Sequence, residues 1–230
     1  MEAGQWRDCI VQVVNSMPSM MHVLRNVRAA IVGCGIMGAS VGLCLRSKGA
    51  GRLLAIDPCA RSLETVQAQG WADERHSRLR NLEDVNVVFL CAPVCAIVDT
   101  LRELAGTAVS SQTLLLDVGS TKRAICASMS KLSAPLHAVG GHPICGSHLD
   151  GPEHADVHMF QGKTFTLTKT GSSNSWAEEM AHRVVREGLD AQPLWITAGE
   201  HDGAMARLSH SPWAGHESGA LHGNGHCRRR

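Results

Sequence analysis

From Val27 onward, short aliphatic runs alternate with longer stretches whose apolar residues recur three or four positions apart. Residues 27–32 read as a strand. Residues 37–48 read as a helix with Met37, Val41 and Leu45 on one face, and Gly49 stands where a helix-ending glycine is expected. A second strand follows over Arg52–Ile56, then a helical stretch after Pro58, a strand over 87–91, a helix over 97–105 and a strand over 114–116. Near-continuous apolar strands separated by helices predict a parallel sheet covered on both faces. Past about Gly140 the pattern loosens into a strand over 164–168, a helix over 175–187 and a short strand over 193–197. Residues 214–230 have no periodicity, Gly and His recur, and the chain ends Arg228-Arg229-Arg230, so this stretch reads as a disordered tail.

Composition narrows the class. Hydrophobic residues make up 44% of the 230 and charged residues 19%, which supplies a core and excludes a disordered chain. The length suits one large domain or two unequal ones. Aromatic residues are only 3%, with no Tyr, so the core must be built from aliphatic side chains, Cys and Met. The formal charge of +1 argues against a broad electrostatic grip on nucleic acid or an anionic membrane. No run approaches the ~18–20 apolar residues of a membrane span. The first 28 residues lack the basic-then-apolar order of a secretory signal. Cys34, Cys44, Cys91 and Cys126 sit inside apolar runs, the usual setting of reduced cysteines in a cytoplasmic protein. Cys91 and Cys95 have no matching second pair, so no metal site is expected.

The clearest chemistry lies at Gly33-Cys34-Gly35-Ile36-Met37-Gly38, which follows the first strand and opens the first helix. Asp57 closes the second strand 24 residues past Gly33. This spacing is the fingerprint of a dinucleotide site on a Rossmann-type, doubly wound, mostly parallel α/β sheet. Gly33 permits the tight turn, Gly35 lets a pyrophosphate reach the main chain, and Gly38 lets the helix pack on the sheet. The pyrophosphate meets unpaired N–H groups at the helix start, where Ile36 and Met37 stand. Asp57 can accept hydrogen bonds from the ribose hydroxyls and would repel a 2′-phosphate, which favours NAD over NADP. Arg61 works against that preference. Pro93, just past the 87–91 strand, is assigned to the same cofactor site.

A nucleotide-binding fold leaves the substrate open. Downstream come Asp117-Val118-Gly119-Ser120-Thr121-Lys122, then Gly140-Gly141-His142-Pro143-Ile144-Cys145-Gly146-Ser147 and Leu167-Thr168. His201-Asp202 and Ser209-His210-Ser211-Pro212 complete the set. With the glycine turn, this ordered set closely resembles the prephenate/arogenate dehydrogenase family of tyrosine biosynthesis, over residues 27–213. The resemblance implies oxidative decarboxylation of a small-molecule substrate. Prephenate or arogenate loses a hydride from ring C4 to the nicotinamide, the ring carboxylate leaves as CO2, and the ring becomes aromatic. It implies that His142 bonds the C4 hydroxyl and draws off its proton, and that Ser120 shares that hydroxyl. Lys122 is the nearest motif cation, and either holds a substrate carboxylate or pairs with Asp117. His201 and His210 match family histidines at the edge of the substrate pocket, with a surface or capping role left open. Cys145 reads as packing.

Three departures stand out. His148 occupies a substrate-pocket position where the family usually has a carboxylate, and Trp213 stands where its S-H-x-P-H motif ends in His. The third is that the long helical region the family builds after S-H-x-P, which forms its homodimer, dissolves within about one residue of Pro212. The expected organisation is an N-terminal extension over 1–26, a Rossmann-type domain over 27–198, the start of a truncated helical domain over 199–213, and the tail over 214–230. The abrupt end reads as a reading-frame or splice accident, which predicts NAD binding with impaired turnover, poor solubility and a weakened dimer. A silent nucleotide-binding module derived from this family is the alternative. A β-hydroxyacid dehydrogenase shares the glycine turn but relies on a lysine on a long central helix that is not evident here.

Overall fold

In the computed structural model, which describes residues 24–146 and 149–209, the uninterrupted apolar runs become central strands. The chain runs β1 (Arg28–Val32), α1 (Ile36–Ser47), β2 (Arg52–Ile56), α2 (Ala60–Gln69) and β3 (Glu74–His76). It continues through β4 (Val87–Leu90), α3 (Val94–Leu104), β5 (Thr113–Asp117), α4 (Arg123–Met129) and β6 (Leu136–Pro143). After these come β7 (Thr164–Lys169), α5 (Ser175–Arg183), β8 (Gln192–Trp195) and α6 (Ala198–Ser209). The strands form one eight-stranded sheet in the order β3-β2-β1-β4-β5-β6-β7-β8. The first six are parallel; β7 runs antiparallel to β6, and β8 parallel to β7.

Alternate residues of each central strand feed opposite layers. Ala29, Ile31, Leu53, Phe89 and Leu116 pack against Val41 and Leu45 of α1 and Ala177 and Ala181 of α5. Ala30, Val32, Leu54, Leu90 and Leu115 face Ile97 and Leu101 of α3 and Ile125 and Met129 of α4. Both faces are therefore dry, which is why these strands carry no polar alternation. The predicted doubly wound, mostly parallel sheet is the fold observed. Gly49, with φ of +80°, follows the end of α1 as a left-handed residue.

Three elements escape the hydrophobic pattern. β3 is only three residues long and polar at every position. α4, over a stretch to which the hydrophobic pattern assigned no element, is a two-turn helix after the Asp117–Lys122 motif. β6 carries Gly140, Gly141 and Pro143, residues that weaken a strand reading. The two glycines are there because their surroundings are close: a Cβ on Gly141 would stand 2.4 Å from the Asp117 carbonyl oxygen, and one on Gly140 2.6 Å from the Cys126 sulfur. The helix predicted over 175–187 is α-helical to Arg183 and finishes as a π turn over Val184–Gly188. Among the described residues no helix is long and apolar enough to cross a membrane. The expected tail over 214–230 lies outside the described residues.

Candidate active site

Parallel strands all deliver their carboxyl ends to one edge of the sheet, and the connections from β1 and β4 leave in opposite directions. A crevice forms at such a reversal. Here it is a cleft of about 810 Å³ whose lining includes Gly33, Gly35, Asp57, Ser77, Arg78 and Pro93. Gly33 has φ of +93°, and a Cβ on it would meet the Cys91 carbonyl oxygen at 2.6 Å. A Cβ on Gly38 would lie 1.9 Å from the Gly33 carbonyl oxygen, so the turn and α1 close on each other. Gly35 differs: nothing stands within 4 Å of its missing Cβ, and it lines the cleft. It is also the N-cap of α1 and brings no side chain to the helix's free N–H groups, while Ile36 and Met37 supply the first turn. Open space over uncapped N–H groups fits an anionic pyrophosphate. Across the turn, Asp57 accepts hydrogen bonds from the N–H of Cys34 and of Cys59, each at 2.7 Å. Its two oxygens keep lone pairs for a ribose hydroxyl. Pro93 is the N-cap of α3.

Because Gly35 faces open space, a larger residue there obstructs the cofactor rather than the fold. Gly35→Val is expected to lower NAD affinity by about tenfold or more while thermal stability stays near wild type. Calorimetric NAD titration beside a melting curve tests this; unchanged affinity would remove Gly35 from the site.

The second part of the site is built where β5 ends. Asp117 is fully buried and accepts hydrogen bonds from the N–H of Gly119 and of Gly141, each at 2.8 Å. The Lys122 ammonium pairs with the same carboxylate and donates to the Gly141 carbonyl oxygen. Burial pushes the Asp117 carboxyl up, against the pull of Lys122 and the two N–H donors. Of the two roles open to Lys122, the structure shows the ion pair. With no exposed surface, its ammonium cannot reach a substrate carboxylate in this arrangement. That corrects its assignment to substrate binding. The pair staples the Ser120 loop to β6 and so sets the approach of Ser120, which is exposed, to the next strand.

His142 lies on β6, one residue past Gly141, with Thr166 of β7 donating to its carbonyl oxygen at 3.1 Å. Its Nδ1 is 2.9 Å from Nε2 of His201, whose own Nδ1 is 2.8 Å from the Asp202 carboxylate. Asp202 in turn accepts from the N–H of Lys122 at 2.8 Å and of Arg123 at 3.0 Å. Residues from β6, α6 and the start of α4 thus form one chain of contacts. Burial, with help from nearby His201 and Lys122, lowers the His142 pKa to about 4, against an opposing pull from Asp202. The ring is therefore neutral at physiological pH and able to accept a proton. Burial works against the charge on Asp202, yet bonds from His201, Lys122 and Arg123 hold its carboxyl below the ordinary range.

His201 was expected at the edge of a substrate pocket. It is 1% exposed with both ring nitrogens engaged, which removes it from direct substrate contact in this structure. Burial raises the Cys145 thiol to about 11, in keeping with packing rather than nucleophilic chemistry. His148 and His210 lie outside the described residues. Sequence reasoning gave Asp202 no role; its signal is the carboxylate directly after His201. Ser77 and Arg78 on the cleft wall were also missed, because they follow the unread strand β3.

Strand order reversing beside a glycine turn, with an acidic residue closing the next strand, defines a dinucleotide-binding domain of the Rossmann type. Residues 41–191 match the family model described as prephenate dehydrogenase, nucleotide-binding domain, and the chain belongs to that family. It is 28% identical over 185 residues to the prephenate dehydrogenase of Bacillus subtilis, covering 79% of this chain and 50% of that protein. Among solved structures it is similar to Synechocystis arogenate dehydrogenase, with a TM-score of 0.73 and 29% identity over 80% of this chain and 64% of the other. The Aquifex aeolicus prephenate dehydrogenase solved with hydroxyphenyl propionate and NAD+ gives a TM-score of 0.73 and 26% identity, covering 80% of this chain and 64% of that one. The chain spans about half the length of the curated relatives it matches.

Proposed function

We propose that this chain performs the NAD-dependent oxidative decarboxylation of prephenate or arogenate, in the cytoplasm, with His142 as the base. The observation that carries this reading is the His142 imidazole, neutral and tethered through Nδ1, on the strand beside the Ser120 loop. A neutral imidazole held in this way can take the proton of a ring hydroxyl as its carbon becomes carbonyl-like. Ser120 is close in the chain to the buried Asp117–Lys122 staple, and is assigned to orient the same hydroxyl. Gly33, Gly35, Gly38 and the first turn of α1 would hold the pyrophosphate, and Asp57 the ribose. Bound NAD would supply the acceptor for the hydride from ring C4. Asp57 favours NAD over NADP because a carboxylate repels a 2′-phosphate.

A second reading is a nucleotide-binding module without turnover. One observation favours it: Lys122, the motif cation nearest the base, is turned inward to Asp117, leaving the two substrate carboxylates to be met by other groups. The test is NADH formation with prephenate and, separately, with arogenate, alongside binding of NAD and NADP. Turnover with either substrate, and NAD binding about tenfold or more tighter than NADP, is the expected result. NAD binding without turnover on either substrate would favour the module.

A further inference from the structure

The chain of contacts ending on His142 specifies more than proximity. Asp202 receives two main-chain N–H donors at the start of α4, where a carboxylate is favoured by the free amides and the helix dipole. An ionised carboxylate only accepts hydrogen bonds, so the ring nitrogen of His201 facing it must carry a proton. When the proton shared with Asp202 is the only one on the ring, Nε2 of His201 is bare and can only accept. The atom facing it, Nδ1 of His142, must donate. His142 is left with its single proton on Nδ1 and a lone pair on Nε2, the form a general base requires.

We propose that His201 and Asp202 are positioning residues that fix His142 in its Nδ1–H tautomer and keep Nε2 free to accept the substrate proton. The proton entering at Nε2 makes His142 cationic, and the compensating charge is already in place on Asp202, one ring away. The charged and titratable groups acting on His142 are His201 and Asp202 from α6 and Lys122 from the start of α4. Asp117, which pairs with Lys122, stands behind them. The same bonds tie α6 to the loop that carries Ser120, so the two residues expected at the substrate hydroxyl are referenced to one another through Asp202.

This inference rests on His142 being the base, but the tautomer is measurable without turnover, so the two ideas fail separately. Nitrogen NMR of the isotope-labelled full chain at neutral pH reads which ring nitrogen carries the proton. Wild type is expected to show His142 protonated on Nδ1 and bare on Nε2. In Asp202→Asn the new amide can donate to His201 and reverse the order, giving Nε2–H on His142. Turnover is then expected to fall about a hundredfold with the KM for NAD unchanged. Asp202 also caps α4, so His201→Phe serves as a second variant that leaves those main-chain bonds in place. In it, His142 is expected to show a mixture of tautomers. The pH profile separates the relay from simple loosening. Loss of the Asp202 charge moves the acid limb of kcat to lower pH, whereas relaxed packing around His142 moves it up toward the ordinary 6.5. A wild-type His142 carrying its proton on Nε2, a tautomer unmoved by both variants, or an acid limb shifted upward would overturn the proposal.

Discussion

His142→Asn is expected to lower kcat about a thousandfold, for either substrate that turns over, while the NAD dissociation constant stays within about twofold. Asparagine is smaller than histidine but still offers an amide donor toward His201, so the strand and α6 keep their contact. What it lacks is a nitrogen that can take up a proton. The nucleotide cleft is lined from the carboxyl ends of β1, β2 and β4, from the stretch after β3 and from α3, and His142 is not among its lining residues. Cofactor affinity and chemistry should therefore separate cleanly in this variant. Steady-state kinetics beside an NAD titration makes the comparison. Activity retained within about tenfold of wild type would end the assignment of His142 as the base.

Lys122→Met is expected to destabilise the domain by about 3–5 kcal/mol, because it strands a fully buried carboxylate. The thioether fills most of the space of the lysine stem, so the loss measures charge rather than volume. Removing both partners should not restore wild-type stability. Asp117 also satisfies the N–H groups of Gly119 and Gly141, and these would stay buried without acceptors in the double variant. Chemical denaturation of wild type, Lys122→Met, Asp117→Leu and the pair forms the cycle. A loss below about 1 kcal/mol for Lys122→Met would mean that the ammonium does not hold the loop in solution as it does here.

The sheet was legible because burial on both faces writes itself as unbroken aliphatic runs: Leu114, Leu115 and Leu116 need no partner to be recognised as a strand. The glycine turn was legible because its constraint is local, Gly38 against Gly33 and both within six residues. β6 was hidden because Gly140 answers to α4 and β7 and Gly141 to β5 and β7, not to their own neighbours in the chain. The role of Lys122 could not be read from spacing. Its stem is drawn inward by a carbonyl 19 residues away, and the motif alone places it equally well toward solvent. Asp202 was hidden for the same reason on a longer scale: the N–H groups that hold it lie 80 and 79 residues earlier.

Those last contacts bear on how the protein can be divided. An excision after residue 198, where the Rossmann pattern ends on paper, would retain the nucleotide cleft and the imidazole of His142. It would remove the carboxylate that orders that imidazole and the cap that begins α4. A fragment meant to preserve both cofactor affinity and the protonation state of the base has to run through Asp202. With His142 as the proposed base, the unit of binding and the unit of chemistry end at different residues.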